Sequence, residues 1–336
     1  MTKTVFLHSM FRAGSTYMFN KFRSDNGVWT YYEPLHHDIA RLKPDMLDIW
    51  KYSKKATNIM NHPELDKPHF YEYKNAFDDD GHLPYYDVGF AYEEYSEPPA
   101  ELALYIKNLI SSTPDKKLPV LQLNRSSLRL EWFKDSFPDG LHVYLLRNPI
   151  NQFESYLQRG KIGKNIFLAL NILIIIKNKI LFPDVLNDID LKSSDDLSIA
   201  IQEAMDLSGT MSIKEHYVLF LHIWFSSFVT ARAHADFILD MDKIAYSPIY
   251  EKEVEEKLAT YEVSAKIDFN DYIIKRYSTY SMSFEIYDAE TISIYDYYAK
   301  KNKSISNDFT YYYIKFFISV VPQKGSFLTK LFRDAK

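Results

Sequence analysis

Three times in its first half the chain runs from a short apolar segment through a turn into residues with helical spacing. The first such unit is Thr4 to His8 (TVFLH), then the turn FRAGST, then an apolar helix face through Tyr17, Met18 and Phe22. Ser15 or Thr16 stands where a helix cap is needed. The second is PVLQLN (119–124), with Asn124 or Ser126 as cap and helical spacing through Leu128, Trp132 and Phe133. The third, LHVYLLR (141–147), carries the strongest strand signal and meets Asn148-Pro149 and another helical run at once. Strand–turn–helix repeated in this way predicts βαβ units and a central parallel sheet covered on both faces, a three-layer α/β/α fold. After Asn165 the pattern is mostly helical, a C-terminal elaboration with one more strand at ADFILDMD (235–242).

A chain of 336 residues can hold one large domain or two small ones. No repeat of fixed period and no long Pro/Gly/Ser linker divides it, so the simplest expectation is a single domain over residues 1–336. Forty basic residues against 45 acidic give −5, which argues against a general nucleic-acid binder and leaves room for a local anion pocket. The absence of cysteine excludes disulfides, zinc–thiolate sites, iron–sulfur clusters and thiol nucleophiles. The most apolar run, Asn165 to Lys179, is interrupted by Asn171 and falls short of a membrane span, so it reads as a buried helix. The SDD and EKEVEEKL runs read as solvated helix starts and faces.

Aromatic residues reach 16%, with 27 tyrosines. Two stretches concentrate them. Residues 69–101 form a Tyr-rich, acidic insertion expected to run over the sheet, and residues 270–313 hold ten tyrosines without clean periodicity. Tyrosine offers flat apolar area with a polar handle, suited to packing and to a sugar ring alike.

The turn after the first strand has the chemistry of an anion site. Arg12 supplies fixed charge, Gly14 permits tight curvature, and Ser15 and Thr16 add hydroxyls where the first N–H groups of a helix lack partners. The pattern GxxxxGK[ST] is absent, so magnesium-nucleotide chemistry is not signalled. A second basic turn follows the 141–147 strand, with Arg147 and, eight positions on, Ser155 (RNPINQFES).

The segment HSMFRAGSTYMF resembles the 5′-phosphosulfate loop of the sulfotransferases that use 3′-phosphoadenylyl sulfate (PAPS), and YLLRNPINQFESY resembles their 3′-phosphate motif. The arginine-first loop is similar to the carbohydrate-type and bacterial branch. Tyr32-Glu33-Pro34-Leu35, LQLNRSSLRLEWFKDSFPD and DFILDMDKIAYSP match further parts of that branch's pattern. The resemblance covers roughly residues 1–37, 119–160 and, more loosely, 215–270. Asn148 stands where the family usually has Asp, and only Lys324-Gly325 echoes the late R-K-G-x-x-G segment of the cytosolic enzymes.

This resemblance implies a P-loop NTPase-like sulfotransferase fold and PAPS as sulfuryl donor. It places the 5′-phosphosulfate on Arg12, Ala13, Gly14, Ser15, Thr16 and Tyr17, and the 3′-phosphate on Arg147 and Ser155. It implies in-line transfer to a hydroxyl, of a carbohydrate or glycolipid first, with a small-molecule acceptor also open. Arg12 would stabilise the leaving bisphosphate. The acceptor's base would be Glu33, with His36 and His37 as rivals whose pKa can lie near neutrality without special tuning. Arg125 either binds acceptor or cofactor or pairs with Glu131, and Arg159 and Lys161 offer rim charge. No metal is expected, because the spacing of His36-His37-Asp38 looks too short to give three ligands from one element. No nucleic acid, no integral membrane segment and a cytoplasmic location complete the expectation. Two other readings stay open: a non-standard P-loop kinase or nucleotide-binding enzyme, and an inactive carbohydrate-binding protein on the same fold.

Overall fold

The computed structural model describes residues 3–47, 67–92, 99–179, 181–182, 196–260 and 280–301, with residues 185, 194, 269 and 272. The chain divides into two compact units, residues 1–147, 176–183 and 230–275, and residues 148–175, 184–229 and 276–336. The helices in chain order are α1 (Ser15–Arg23), α2 (Ala100–Ser111), α3 (Leu130–Ser136), α4 (Pro149–Leu157) and α5 (Ile166–Lys177). They continue with α6 (Leu197–Thr210), α7 (Ile213–His234), α8 (Met241–Ile244), α9 (Pro248–Thr260) and α10 (Phe284–Lys301).

In the first unit the strand-like segments form one parallel sheet. Strands β1 (Val5–Ser9), β2 (Val28–Tyr32), β3 (Leu118–Leu123), β4 (Leu141–Leu146) and β5 (Phe237–Asp240) lie in the order β2-β3-β1-β4-β5. β1 is central, with Phe6 beside Leu121 of β3 on one side and His142 of β4 on the other. Side chains alternate across the sheet with period two, so each strand feeds two cores. One core joins Phe6, Tyr31, Leu121 and Leu123 to α2 and to Phe133 of α3. The other joins Val5, Leu7, Val143, Leu145 and Leu239 to Met18 and Phe22 of α1 and to Val254 and Leu258 of α9. The result is the three-layer α/β/α arrangement, with strands buried on both faces and therefore almost wholly apolar.

Local details differ from the sequence expectation. α2 was not anticipated. Its stripe of Leu102, Tyr105, Ile106 and Leu109 is fully buried at i, i+3, i+4 and i+7. Each such side chain contributes about 1.5–3 kcal/mol on burial, more than any propensity difference along the helix, so the stripe fixes the element. Asn124 and Ser126 cap no helix: α3 begins at Leu130, and both side chains bond elsewhere. In the Tyr-rich insertion Phe70, Tyr73, Phe90 and Tyr92 are buried, whereas Tyr85 is exposed. Tyr73 donates to the carbonyl of Tyr32 at 2.9 Å, so this part packs on β2 as core. Asp78 of the acidic run accepts from the N–H groups of Asp80 and His82, a turn-bracing role. Glu93, Glu94, Tyr95 and Glu97 lie outside the described residues.

The second unit is helical among its described residues. Asn148 caps α4, its side chain accepting from the N–H groups of Ile150 and Asn151 at 3.0 and 3.1 Å, and Pro149 opens the helix. Phe153 and Tyr156 of α4 pack on Phe220 of α7. Buried Glu154 accepts from the Tyr287 hydroxyl at 2.5 Å and from the Ser281 N–H at 2.7 Å. Residues 270–271, 273–279 and 302–313 of the second Tyr-rich stretch fall outside the described residues, but Tyr287, Tyr295, Tyr297 and Tyr298 stand on α10. Among the described residues no helix is long and apolar enough to cross a membrane. α5 is instead the short apolar helix that the interrupted run suggests.

Candidate functional site

In an open parallel sheet, ligands bind outside the carboxyl ends of the strands where the chain order reverses. Here β1 is that point: the chain leaves it toward β2 and β3, then crosses to β4 on its other side. The residues after β1 are held tightly, with Met10, Phe11 and Ala13 buried and Arg12 half-buried. Arg12 (φ 62°) and Gly14 (φ 96°) both take the left-handed conformation. Backbone turned in this way makes N–H concavities of the kind that hold anions. The cap of α1 is Gly14, so Ser15 and Thr16 are its first helical residues and not the cap. Glycine is the residue best suited to position 14. Its φ is strained for a side chain, and a Cβ would sit 3.0 Å from Cε of Met241 and 3.3 Å from the Tyr272 hydroxyl. Tyr17 packs beside Tyr272, the ring centroids 4.6 Å apart.

The β4 turn meets this loop. Arg147 is buried, and its Nη1 donates to the carbonyl oxygen of Arg12 at 2.9 Å. The two arginine-bearing turns of the first unit are therefore joined at neighbouring strand ends. Ser155 belongs to the second unit, buried on α4 beside Glu154. Arg159 is half-buried in the same unit and Lys161 is exposed. Lys324 and Gly325 lie outside the described residues.

β5 brings an acid that the sequence reading passed over. Asp240 ends the strand and caps α8, accepting from the Lys243 N–H at 2.9 Å. Burial, reinforced by the Asp242 charge, pushes its carboxyl up to about 7. The signal was present in DFILDMD, where two acids flank a buried Met at a strand end.

A second cluster forms where β2 and β3 end side by side. Glu33 follows β2 in a left-handed conformation (φ 41°), and its N–H donates to Oε1 of Gln122 at 3.3 Å. Its Oε1 accepts from Nδ2 of Asn124 at 2.6 Å, and its Oε2 accepts from Nη1 of Arg125 at 2.5 Å. Arg125 does not pair with Glu131, which lies instead 3.9 Å from His234. A buried carboxylate beside β3 is the nearer and better-desolvated partner. The rest of the guanidinium lies 3.2–3.3 Å from the Tyr92 hydroxyl and 5.0 Å from the Phe11 ring. Burial by itself lowers the Arg125 pKa, yet Tyr92 and Glu33 raise it above its ordinary value, so the side chain stays charged.

His36 and His37 follow on the same segment, their rings stacked with centroids 4.6 Å apart. Neither has the near-neutral pKa expected of it. Burial, then the Arg125 and His37 charges, push His36 well below its usual value; burial, then Arg125, lower His37. Both imidazoles are neutral at pH 7 and are weaker bases than free histidine. The short His36-His37-Asp38 spacing also proves no barrier to convergence. His36 caps a 3₁₀ turn (His37–Arg41), and that tight turn brings one ligand atom of each residue within 4.8 Å of the others.

Comparison with known proteins returns no match to any protein-family model and no similar curated protein. The reading of this site therefore rests on its own geometry and on the motifs of the sequence. Asn124, Arg125 and Tyr92 are the members that motif reading did not place together. Only the pairing of β2 with β3 makes them neighbours of Glu33.

Proposed function

We propose that the chain is a PAPS-dependent sulfotransferase with the P-loop-like fold of that family, transferring a sulfuryl group to a carbohydrate or glycolipid hydroxyl. The observation that supports it best is the joining of two arginine-bearing turns, after β1 and after β4, through the bond from Arg147 to the Arg12 carbonyl. The family resemblance assigns one turn to each phosphate end of the donor. Arg12, Ala13, Gly14, Ser15, Thr16 and Tyr17 hold the 5′-phosphosulfate in this reading, and Arg147 with Ser155 the 3′-phosphate. The role of Ser155 stands on the sequence motif alone.

In the reaction the acceptor oxygen attacks sulfur while the bond from sulfur to the 5′-phosphate oxygen breaks. The acceptor's proton passes to a base, and negative charge grows on the leaving bisphosphate. The amino end of α1 and Arg12 are suited to that charge, since donors fixed in advance need no reorganisation. Among the three bases, solvent access favours His37, although its Nδ1 also lies 3.4 Å from the Tyr92 hydroxyl. Both oxygens of Glu33 are engaged by Asn124 and Arg125, and Nδ1 of His36 accepts from the Asp38 N–H. His37 is a third exposed, and its Nε2 lies 3.6 Å from an Asp38 oxygen that would steady the imidazolium. A cytoplasmic enzyme is the natural setting for this donor.

Titration calorimetry with adenosine 3′,5′-bisphosphate, without magnesium, tests the reading. Binding in the micromolar range is expected, with adenosine 5′-monophosphate at least about tenfold weaker because a charge-assisted phosphate contact is missing. Arg147→Ala should erase most of that gap while the circular dichroism stays native. Equal affinity for the two nucleotides, or binding only of ATP with Mg²⁺, overturns the proposal in favour of a kinase-like protein.

A further inference from the structure

Residues 36–38 carry a second feature that the sulfotransferase reading does not use. Nδ1 of His36 lies 3.5 Å from one oxygen of Asp38, and Nε2 of His37 lies 3.6 Å from the other. Two ligand atoms on one ion of zinc's size stand about 3.4 Å apart, given bonds near 2.0–2.1 Å and tetrahedral angles. These two spacings are close to that, and one ligand atom from each of the three residues lies within 4.8 Å of the others. A metal-binding imidazole also needs a partner for its other nitrogen, which fixes the tautomer and the ring. Each ring has one. Nε2 of His36 faces Oε2 of Glu33 at 3.9 Å, and Nδ1 of His37 lies 3.4 Å from the Tyr92 hydroxyl.

The segment is braced from outside as well. The Tyr86 hydroxyl donates to the His36 carbonyl at 2.7 Å, and the His36 N–H donates to the Glu33 carbonyl at 2.8 Å. The charge of nearby Arg125 is already met by Glu33. The three side chains keep 21–33% of their surface exposed, so an ion has a way in and room for water ligands.

We propose that His36, His37 and Asp38 form a binding site for a borderline divalent ion of the Zn²⁺, Co²⁺ or Ni²⁺ class. Two imidazoles and one carboxylate suit such ions and not Mg²⁺ or Ca²⁺, which prefer oxygen alone. Two adjustments accompany loading. Nδ1 of His36 gives up its bond from the Asp38 N–H, and one of the stacked rings, now 24° from parallel, turns so that the lone pairs converge. Both weaken binding, so an affinity on the order of micromolar is expected, far below that of a closed structural zinc site. The site does not depend on the sulfotransferase reading. Where both hold, the ion takes His37 away from the acceptor and inhibits transfer.

The test is direct binding to tag-free protein stripped with EDTA. Zn²⁺ calorimetry should give one site per chain, and Co²⁺ should give visible d–d bands. His37→Gln and Asp38→Asn should each weaken binding at least about tenfold, and Tyr92→Phe at least severalfold through loss of the ring's support. Native circular dichroism of each variant separates lost ligation from lost fold. A double variant, His36→Gln with His37→Gln, that binds Zn²⁺ as well as the wild type overturns the proposal, as does absence of wild-type binding at millimolar metal. Neither result bears on adenosine bisphosphate binding, so the two proposals fail separately.

Discussion

Arg125→Met is the most informative single change in the first unit. It leaves Glu33 as an ionised carboxylate with 10% of its side chain exposed, deprived of the partner 2.5 Å from Oε2. Charge centres about 4 Å apart at an effective dielectric near 20 attract by about 4 kcal/mol. Removing one member of a buried pair costs about 3–5 kcal/mol, because the other is stranded. Glu33→Gln should cost less, about 1–3 kcal/mol, since the amide keeps an acceptor for Asn124 and the guanidinium keeps the Tyr92 hydroxyl. The double variant strands neither charge and should be more stable than Arg125→Met alone, a coupling of at least about 2 kcal/mol. Native-state hydrogen exchange at the amides of Tyr31 and Leu121 reads the first unit by itself. The two residues are register partners on β2 and β3. Additive effects within about 0.5 kcal/mol, or a loss under about 1 kcal/mol for Arg125→Met, would refute the pair as a structural clamp.

Two predictions concern pH. Nε2 of His142 faces the Phe137 carbonyl at 2.9 Å and donates to it, so its Nδ1 accepts from Nε2 of His8 at 3.1 Å, while Nδ1 of His8 meets the Ser126 hydroxyl at 2.7 Å. Burial disfavours a further proton here and depresses His142 to about 4. The unfolded chain therefore takes protons first below about pH 6.5, and stability should fall by about 2 kcal/mol for His142 alone by pH 5, levelling off below its folded pKa. A flat unfolding free energy from pH 7 to 5 would rule this out. Asp240 behaves oppositely, because its folded pKa near 7 lies above the unfolded carboxylate value. Its contribution is complete in acid and disappears as pH rises to 7, so Asp240→Asn, which retains a capping oxygen, should stabilise by about 2–4 kcal/mol at pH 8 and leave pH 4 unchanged. Equal effects at both pH values would show that Asp240 is ionised throughout.

What the sequence made legible follows from how locally each feature is encoded. β1, β3 and β4 are continuous apolar runs ended by turn residues, and α4 announces itself through Asn148-Pro149, so five or six residues suffice to read them. Gly14 was legible for the same reason, although its φ of 96° made it the cap that Ser15 and Thr16 had been expected to supply. α2 is harder to read, because the tyrosines before it suit surface recognition as well as a core, while Leu102, Tyr105, Ile106 and Leu109 carry an ordinary buried stripe. The Glu33 cluster was illegible in a stronger sense. Asn124 and Arg125 stand 91 and 92 positions from Glu33 and meet it only because β2 pairs with β3 in one particular register. A one-residue slip would turn Gln122 and its neighbours to the opposite face and dissolve the cluster. The left-handed Glu33 is held in place by that same pairing, through Gln122, Asn124 and Arg125 together. The left-handed backbone at Glu33 and at Arg12, both following strand ends at the carboxyl edge of the sheet, is therefore a property of the assembled sheet, and such outliers are kept most often where they serve function.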